Sequence, residues 1–128
     1  MAHLKPMEIL ARAKEFLRGA DFAMQNNCFN VCAICSYAAL FWAARAGLAY
    51  EGFDHPTWEH HELRSKFTEE LVMNRHRYPT SFGSWLVKAF TLRNAAQYHF
   101  GHPKAKEVKR MVNHAKEFIQ KIEEVINK

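Results

Sequence analysis

Several features that would assign a chain to a class at once are missing here. No run of apolar residues approaches the length of a membrane span, since the longest, residues 36–44, ends at Arg45. The start, M-A-H-L-K-P-M, has no apolar stretch of the kind found in secretion signals. Internal repeats, low-complexity tracts and linkers are also absent. These absences favour a cytoplasmic protein that contacts no membrane.

Strand-like alternation of apolar and polar residues is absent over any useful length, whereas the helical period runs nearly throughout. With 128 residues, 48% of them hydrophobic and 24% charged, we expect one soluble domain over residues 1–128. The fold class is all-α, an antiparallel bundle of four or five helices. The predicted helices cover about 6–24, 28–48, 57–73, 81 or 84 to the Gly-His-Pro stop at 101–103, and 103–127.

Three cysteines, at positions 28, 32 and 35, cannot all pair with one another, which suits a reducing compartment. Their C-x3-C-x2-C spacing is also that of an iron–sulfur ligand set, but three and four are helical steps, so buried thiols explain it better. Because histidines are numerous, a metal site assembled from His55, His60 and His102 remains an alternative, although no H-E-x-x-H motif occurs. We expect neither a metal nor another cofactor.

Positive charge is in modest excess, with a formal net charge of +5 and a pI near 9.2, which favours polyanions as partners. Arg75, His76, Arg77 and Tyr78 combine cations with an aromatic ring, a pairing suited to RNA phosphates and a stacked base. The alternative is a solvated basic loop between two helices.

The most informative stretch is residues 92–103, L-R-N-A-A-Q-Y-H-F-G-H-P. Arg93 matches a phosphate bidentately, and His99 can exchange a proton near neutral pH. His99 continues the apolar stripe of the fourth helix and is expected to point inward, about 120° round the helix from Arg93. The two side chains therefore meet only if the last turn loosens or a second subunit supplies one of them. The alternative is a structural ion pair and a core histidine.

Four short motifs resemble those of the HEPN domain family in order and spacing. They are F-L-x(2)-A at 16–20, Y-A-A at 37–39, H-x(2)-L-x(3)-F at 60–67 and R-x(4)-Y-H at 93–99, followed by a long amphipathic last helix. The resemblance covers essentially the whole chain. It implies a helical bundle that forms a homodimer and is often partnered with a minimal nucleotidyltransferase in toxin–antitoxin pairs.

The same resemblance implies an RNA-cutting toxin whose catalytic residues are Arg93 and His99, with Asn94 and Tyr98 orienting them. Arg75, His76, Arg77, Tyr78 and His102 are then the predicted contacts to RNA or a nucleotide. Gln97 stands where the subgroup closest to this chain commonly carries an acid. A non-catalytic module that binds a nucleotide, or serves as a scaffold for a nucleotidyltransferase, is therefore the alternative.

Overall fold

The computed structural model describes residues 5–101 and 103–128, and in these residues it is all-α, as predicted. Five α-helices are joined by short connections, and the third continues directly into a π-helical segment. Their bounds are α1 Pro6–Gln25, α2 Phe29–Tyr50, α3 His60–Lys66 with the π-helical segment Phe67–Asn74, α4 Ser81–Tyr98 and α5 Ala105–Ile126.

Helix α1 runs antiparallel to both long helices that it packs against, α2 and α5. Only residues 26–28 separate α1 from α2, and two helices that pack after so short a turn must run antiparallel. Lys14 of α1 pairs with Glu123 of α5, and Asp21 pairs with Lys116 at 3.1 Å. As residue number rises along α1 it falls along α5, so these two helices are also antiparallel. The antiparallel bundle is confirmed.

Helix α2, which is rich in small residues, is the centre of the bundle. It packs against α1, α4 and α5, and Gly47 lets α5 approach so closely that a Cβ there would lie 3.0 Å from Ile122 Cδ1. Gly47 lies inside the helix, and the chain turns at Gly52 instead, where φ is +94°.

Helix α2 ends at Tyr50, close to its predicted end at 48. Among the described residues it is the one helix long and apolar enough to cross a membrane, with a mean hydropathy of 1.5, although its longest uninterrupted apolar run ends at Arg45. In the bundle, 61% of its most apolar window is buried, which is typical of the core helix of a soluble protein. Length and composition alone are weak grounds for a membrane span.

The third helix begins later than predicted. Thr57 does not cap it, since its backbone N–H donates to His55 Nδ1 at 3.1 Å in a turn, and α3 starts at His60. After Lys66 the helix widens into π-helical turns up to Asn74. Phe67 and Leu71 of this segment are fully buried in the core.

Helix α4 ends one residue before His99. Tyr98 is its last residue, and His99 is extended with φ −105° and ψ 150°. Gly101, at φ +108°, continues the departure from the helix axis. Loosening of the last turn was one of the two alternatives in the sequence analysis. The helix in fact ends there, and this end determines the position of the His99 side chain.

Candidate functional site at the end of helix α4

Arg93 is held half-buried on α4 by aromatic rings from two helices. Its Cζ lies 5.4 Å from the ring centroid of Tyr37, 5.8 Å from that of Phe90 and 5.6 Å from that of Tyr98. Its Nη1 donates to Asn94 Oδ1 at 2.9 Å. Rings and an amide position the guanidinium without neutralising it. In the described part of the chain no carboxylate forms an ion pair with Arg93, so its charge remains for an anion.

His60 completes this cluster. Its ring stacks on Phe90 with centroids 3.6 Å apart and planes 9° from parallel, and its Nδ1 lies 3.3 Å from Tyr37 Oη. Burial lowers the pKa of His60 to about 4, and the nearby cations Arg64 and Arg93 act in the same direction. The ring is therefore neutral at pH 7. A neutral imidazole suits stacking and hydrogen bonding beside Arg93 and adds no second charge.

The prediction that His99 points inward is wrong. The helical stripe Leu92–Ala96 is half-buried, but α4 stops before His99, and the side chain is exposed. Tyr98 is also exposed, at 66%. No hydrogen bond or ring contact joins Arg93 to His99 within the residues described. One subunit therefore presents a cation and an accessible imidazole at the same helix end without bringing them together.

The two arginines of the predicted RNA-binding loop are already paired. Arg77 Nε donates to Glu51 Oε2 at 3.1 Å, and Arg75 Nη1 lies 3.8 Å from Glu51 Oε1. The Glu51 side chain is only 7% exposed. This loop precedes Ser81 at the start of α4, so it lies about 18 Å along the helix from Arg93. The two cationic regions are at opposite ends of α4.

Tyr78 is not an RNA-stacking residue, and that part of the prediction is wrong. Its ring is 4% exposed and packs between Phe67 and Phe82, with centroids 5.3 and 5.8 Å away. Burial also raises the pKa of its hydroxyl well above the usual value. His76 is exposed with φ +53°, and His102, the remaining predicted contact, lies outside the described residues.

The three cysteines are free thiols. Cys28 is exposed, Cys32 is buried and Cys35 is partly buried. Burial raises the pKa of Cys32 to about 11. No group of three or more His, Cys, Asp or Glu side chains among the described residues lies close enough to hold a metal ion.

Sequence reasoning found Arg93, Asn94, Tyr98 and His99 but did not place the rings around them. Tyr37 and His60 stood in two of the quoted motifs, so a signal existed, yet it gave no contact between them. Their meeting with Phe90 depends on the packing of α2, α3 and α4. Periodicity within one helix carries no information about that packing.

The family model described as HEPN domain matches residues 7–125, nearly the whole chain. Comparison with curated proteins gives no match.

Proposed function

The chain belongs to the HEPN domain family, and we propose that it is a metal-independent endoribonuclease that binds RNA at the end of α4 and acts as a homodimer. Members of the family often cleave RNA or bind nucleotides, and they often dimerise. The observation that carries the proposal is the state of Arg93, a half-buried guanidinium without a carboxylate partner in the described chain, next to an accessible His99.

These groups suffice for cleavage because RNA supplies its own nucleophile. A base removes the proton of a 2′-hydroxyl, and the freed oxygen attacks the adjacent phosphorus. The bond from phosphorus to the 5′-oxygen then breaks, an acid protonates that oxygen, and a 2′,3′-cyclic phosphate remains. Arg93 stabilises the negative charge that develops on the phosphate oxygens. In the dimer, the two copies of His99 serve as base and acid, while Asn94 and Tyr98 orient the guanidinium.

A second subunit is needed because one subunit does not bring Arg93 to His99. The end of α4 also exposes apolar surface, with Tyr98 at 66% and Phe100 fully exposed. Exposed aromatic rings clustered at one place are typical of surfaces that bind a partner. We therefore place the twofold axis of the homodimer near residues 98–100, where both active groups converge.

The proposed activity also suggests a role for the protein in the cell. We propose a cytoplasmic toxin component whose antitoxin is a minimal nucleotidyltransferase. The second candidate is a non-catalytic module that binds a nucleotide or serves as a scaffold for such a partner. The separation of Arg93 from His99 favours it, and the same exposed rings at residues 98–100 suit either a second copy or a different protein.

The test is incubation of the full chain with an end-labelled single-stranded RNA in the presence of EDTA. We expect the wild type to cut and to leave 2′,3′-cyclic phosphate ends, and we expect His99→Ala to lose cutting. His61→Ala, which changes an exposed histidine on α3, is the matched control and should cut normally. No cutting by the wild type, with RNA or nucleotide still bound, supports the non-catalytic module instead. Equal cutting by His99→Ala contradicts the mechanism.

Sedimentation of the same preparations tests the dimer. We expect a dimer at micromolar concentration for the wild type and for His99→Ala. A strict monomer that still cuts RNA would remove the shared site.

A further inference from the structure

An aromatic pocket lies beside Arg93 on the face formed by α2, α3 and α4. Its volume is about 320 Å³, and Arg93 lines one edge. Its walls are six rings, those of Tyr37, Phe41, Trp42, Trp58, His60 and Phe90. All six are partly exposed. So many rings in one shallow pocket offer flat surfaces on which a planar ligand can stack.

The rings form a continuous path from Arg93 across the pocket. Tyr37 and Phe41 have centroids 5.9 Å apart, and Phe41 and Trp42 have centroids 6.1 Å apart. At the far end, two guanidinium groups lie over the ring of Trp42. The Cζ of Arg12 is 4.6 Å from its centroid, and that of Arg45 is 4.9 Å away. The pocket therefore has Arg93 in its lining and two further cations against Trp42, one of its walls.

Arg45 is the unusual member of this set. It is 8% exposed, and its Nε is buried without a hydrogen-bond partner. In the described ranges 5–101 and 103–128, no carboxylate forms an ion pair with Arg45 or with Arg12. Burial of a charge is costly unless an opposite charge compensates it. An anionic ligand at this end of the pocket supplies that compensation.

We propose that this pocket binds one unpaired base of a single-stranded RNA, with its flanking phosphates at Arg93 on one side and at Arg12 and Arg45 on the other. A base within a strand has a phosphate on each side, which matches the two cationic ends. A base in a duplex is covered by its neighbours and cannot enter. The inference rests on the proposed function in taking RNA as the ligand. It adds the subsite that selects the nucleotide beside the cleaved bond.

Tryptophan fluorescence tests the pocket directly. Trp42 and Trp58 line it, whereas Trp85 stacks on His114 with centroids 4.0 Å apart. The measurement uses the full chain carrying His99→Ala, so that the RNA stays intact. We expect a short single-stranded RNA to quench the fluorescence, and we expect Trp85→Phe to keep the quenching. Trp58→Phe should lose part of the quenching, because Trp42 is then the one tryptophan left in the pocket lining.

Two further measurements distinguish the contribution of the base to binding from that of the phosphates. A strand of equal length without bases should bind roughly tenfold or more weakly, since stacking contributes substantially to binding. Arg12→Gln should lower the slope of log affinity against log salt by about 0.7, the value for one phosphate contact on a single strand. Arg18→Gln, another exposed arginine on α1, should leave the slope unchanged. Equal affinity for the strand without bases, or equal effects of the two arginine variants, overturns the proposal.

A parallel quenching titration with adenosine monophosphate shows whether the bound base belongs to an RNA strand or to a free nucleotide. Quenching by the strand at concentrations where the mononucleotide has no effect supports RNA. Equal quenching by the mononucleotide overturns the assignment to RNA. The outcome is independent of catalysis, because binding is measured without cleavage. Quenching without any cutting by the wild type leaves the pocket standing and removes the nuclease. Cutting without quenching removes the pocket and leaves the nuclease.

Discussion

Arginines lie near both ends of α4, but their surroundings have opposite properties. At the start, Arg75 and Arg77 share one nearly buried carboxylate, that of Glu51, so much of their charge is neutralised. At the end, Arg93 lies among aromatic rings and an amide with no carboxylate beside it in the described chain. A run of basic residues therefore does not by itself predict an anion site. What decides is whether the fold places an acid next to the cations.

Tyr78, which was predicted to contact RNA, and Tyr98, which was predicted to orient the catalytic pair, give the largest expected difference. Tyr78→Ala should lower the free energy of unfolding by about 3–5 kcal/mol, because it empties a buried stack of rings. Tyr98→Ala should leave that free energy within about 0.5 kcal/mol but weaken RNA binding, since its ring is exposed beside Arg93. Urea unfolding and a binding titration measure the two effects. A Tyr78→Ala protein that is as stable as the wild type but binds RNA more weakly would contradict this assignment of the two tyrosines.

The two arginines differ next in their effect on catalysis. Arg93→Gln should slow RNA cleavage about 100- to 1000-fold, because it removes the cation that stabilises the developing phosphate charge. Arg77→Gln, the matched change in the basic loop, should keep the initial rate within about a factor of two, since its charge is paired with Glu51. Initial rates on one labelled strand decide the matter. Losses of equal size would show that the loop takes part.

Removal of the acid should make the two ends more alike. Glu51→Gln frees Arg75 and Arg77, so we expect the salt dependence of RNA binding to steepen by about 0.7 for each cation that gains a phosphate. The stability loss should be about 1 kcal/mol or less, because both arginines are partly exposed. Binding isotherms at several salt concentrations measure the slope. An unchanged slope would mean that something other than Glu51 keeps RNA from the loop.

The smallest expected effect concerns His60 and pH. Its pKa in the folded chain, about 4, is below the ordinary value, so the unfolded chain binds more protons between pH 6.5 and 4. Stability from the neutral ring is therefore present above pH 6.5 and decreases as pH falls towards 4. His60→Phe should flatten the fall of Tm over that range. His114, whose pKa burial also lowers, keeps a weaker dependence in the variant. An unchanged pH profile would contradict the burial of His60.

Much of the fold follows from the sequence, but the site does so only in part. The helical period predicted the helices and their order, because these depend on local patterns. The burial of Tyr78 and the pairing of Arg77 with Glu51 were missed, since each depends on contacts between distant segments. The position of His99 was missed for another reason. The fourth helix was predicted to run to the Gly-His-Pro sequence at 101–103, but it ends at Tyr98, before the imidazole.

Photo-crosslinking of a single-stranded RNA that carries 4-thiouridine, followed by mapping of the linked peptides, tests the central claim most directly. The account predicts links at residues 90–101 and at the rings of the pocket on α2 and α3, and it predicts that Arg93→Gln reduces them. Links confined to residues 74–80, at the other end of α4, would contradict it.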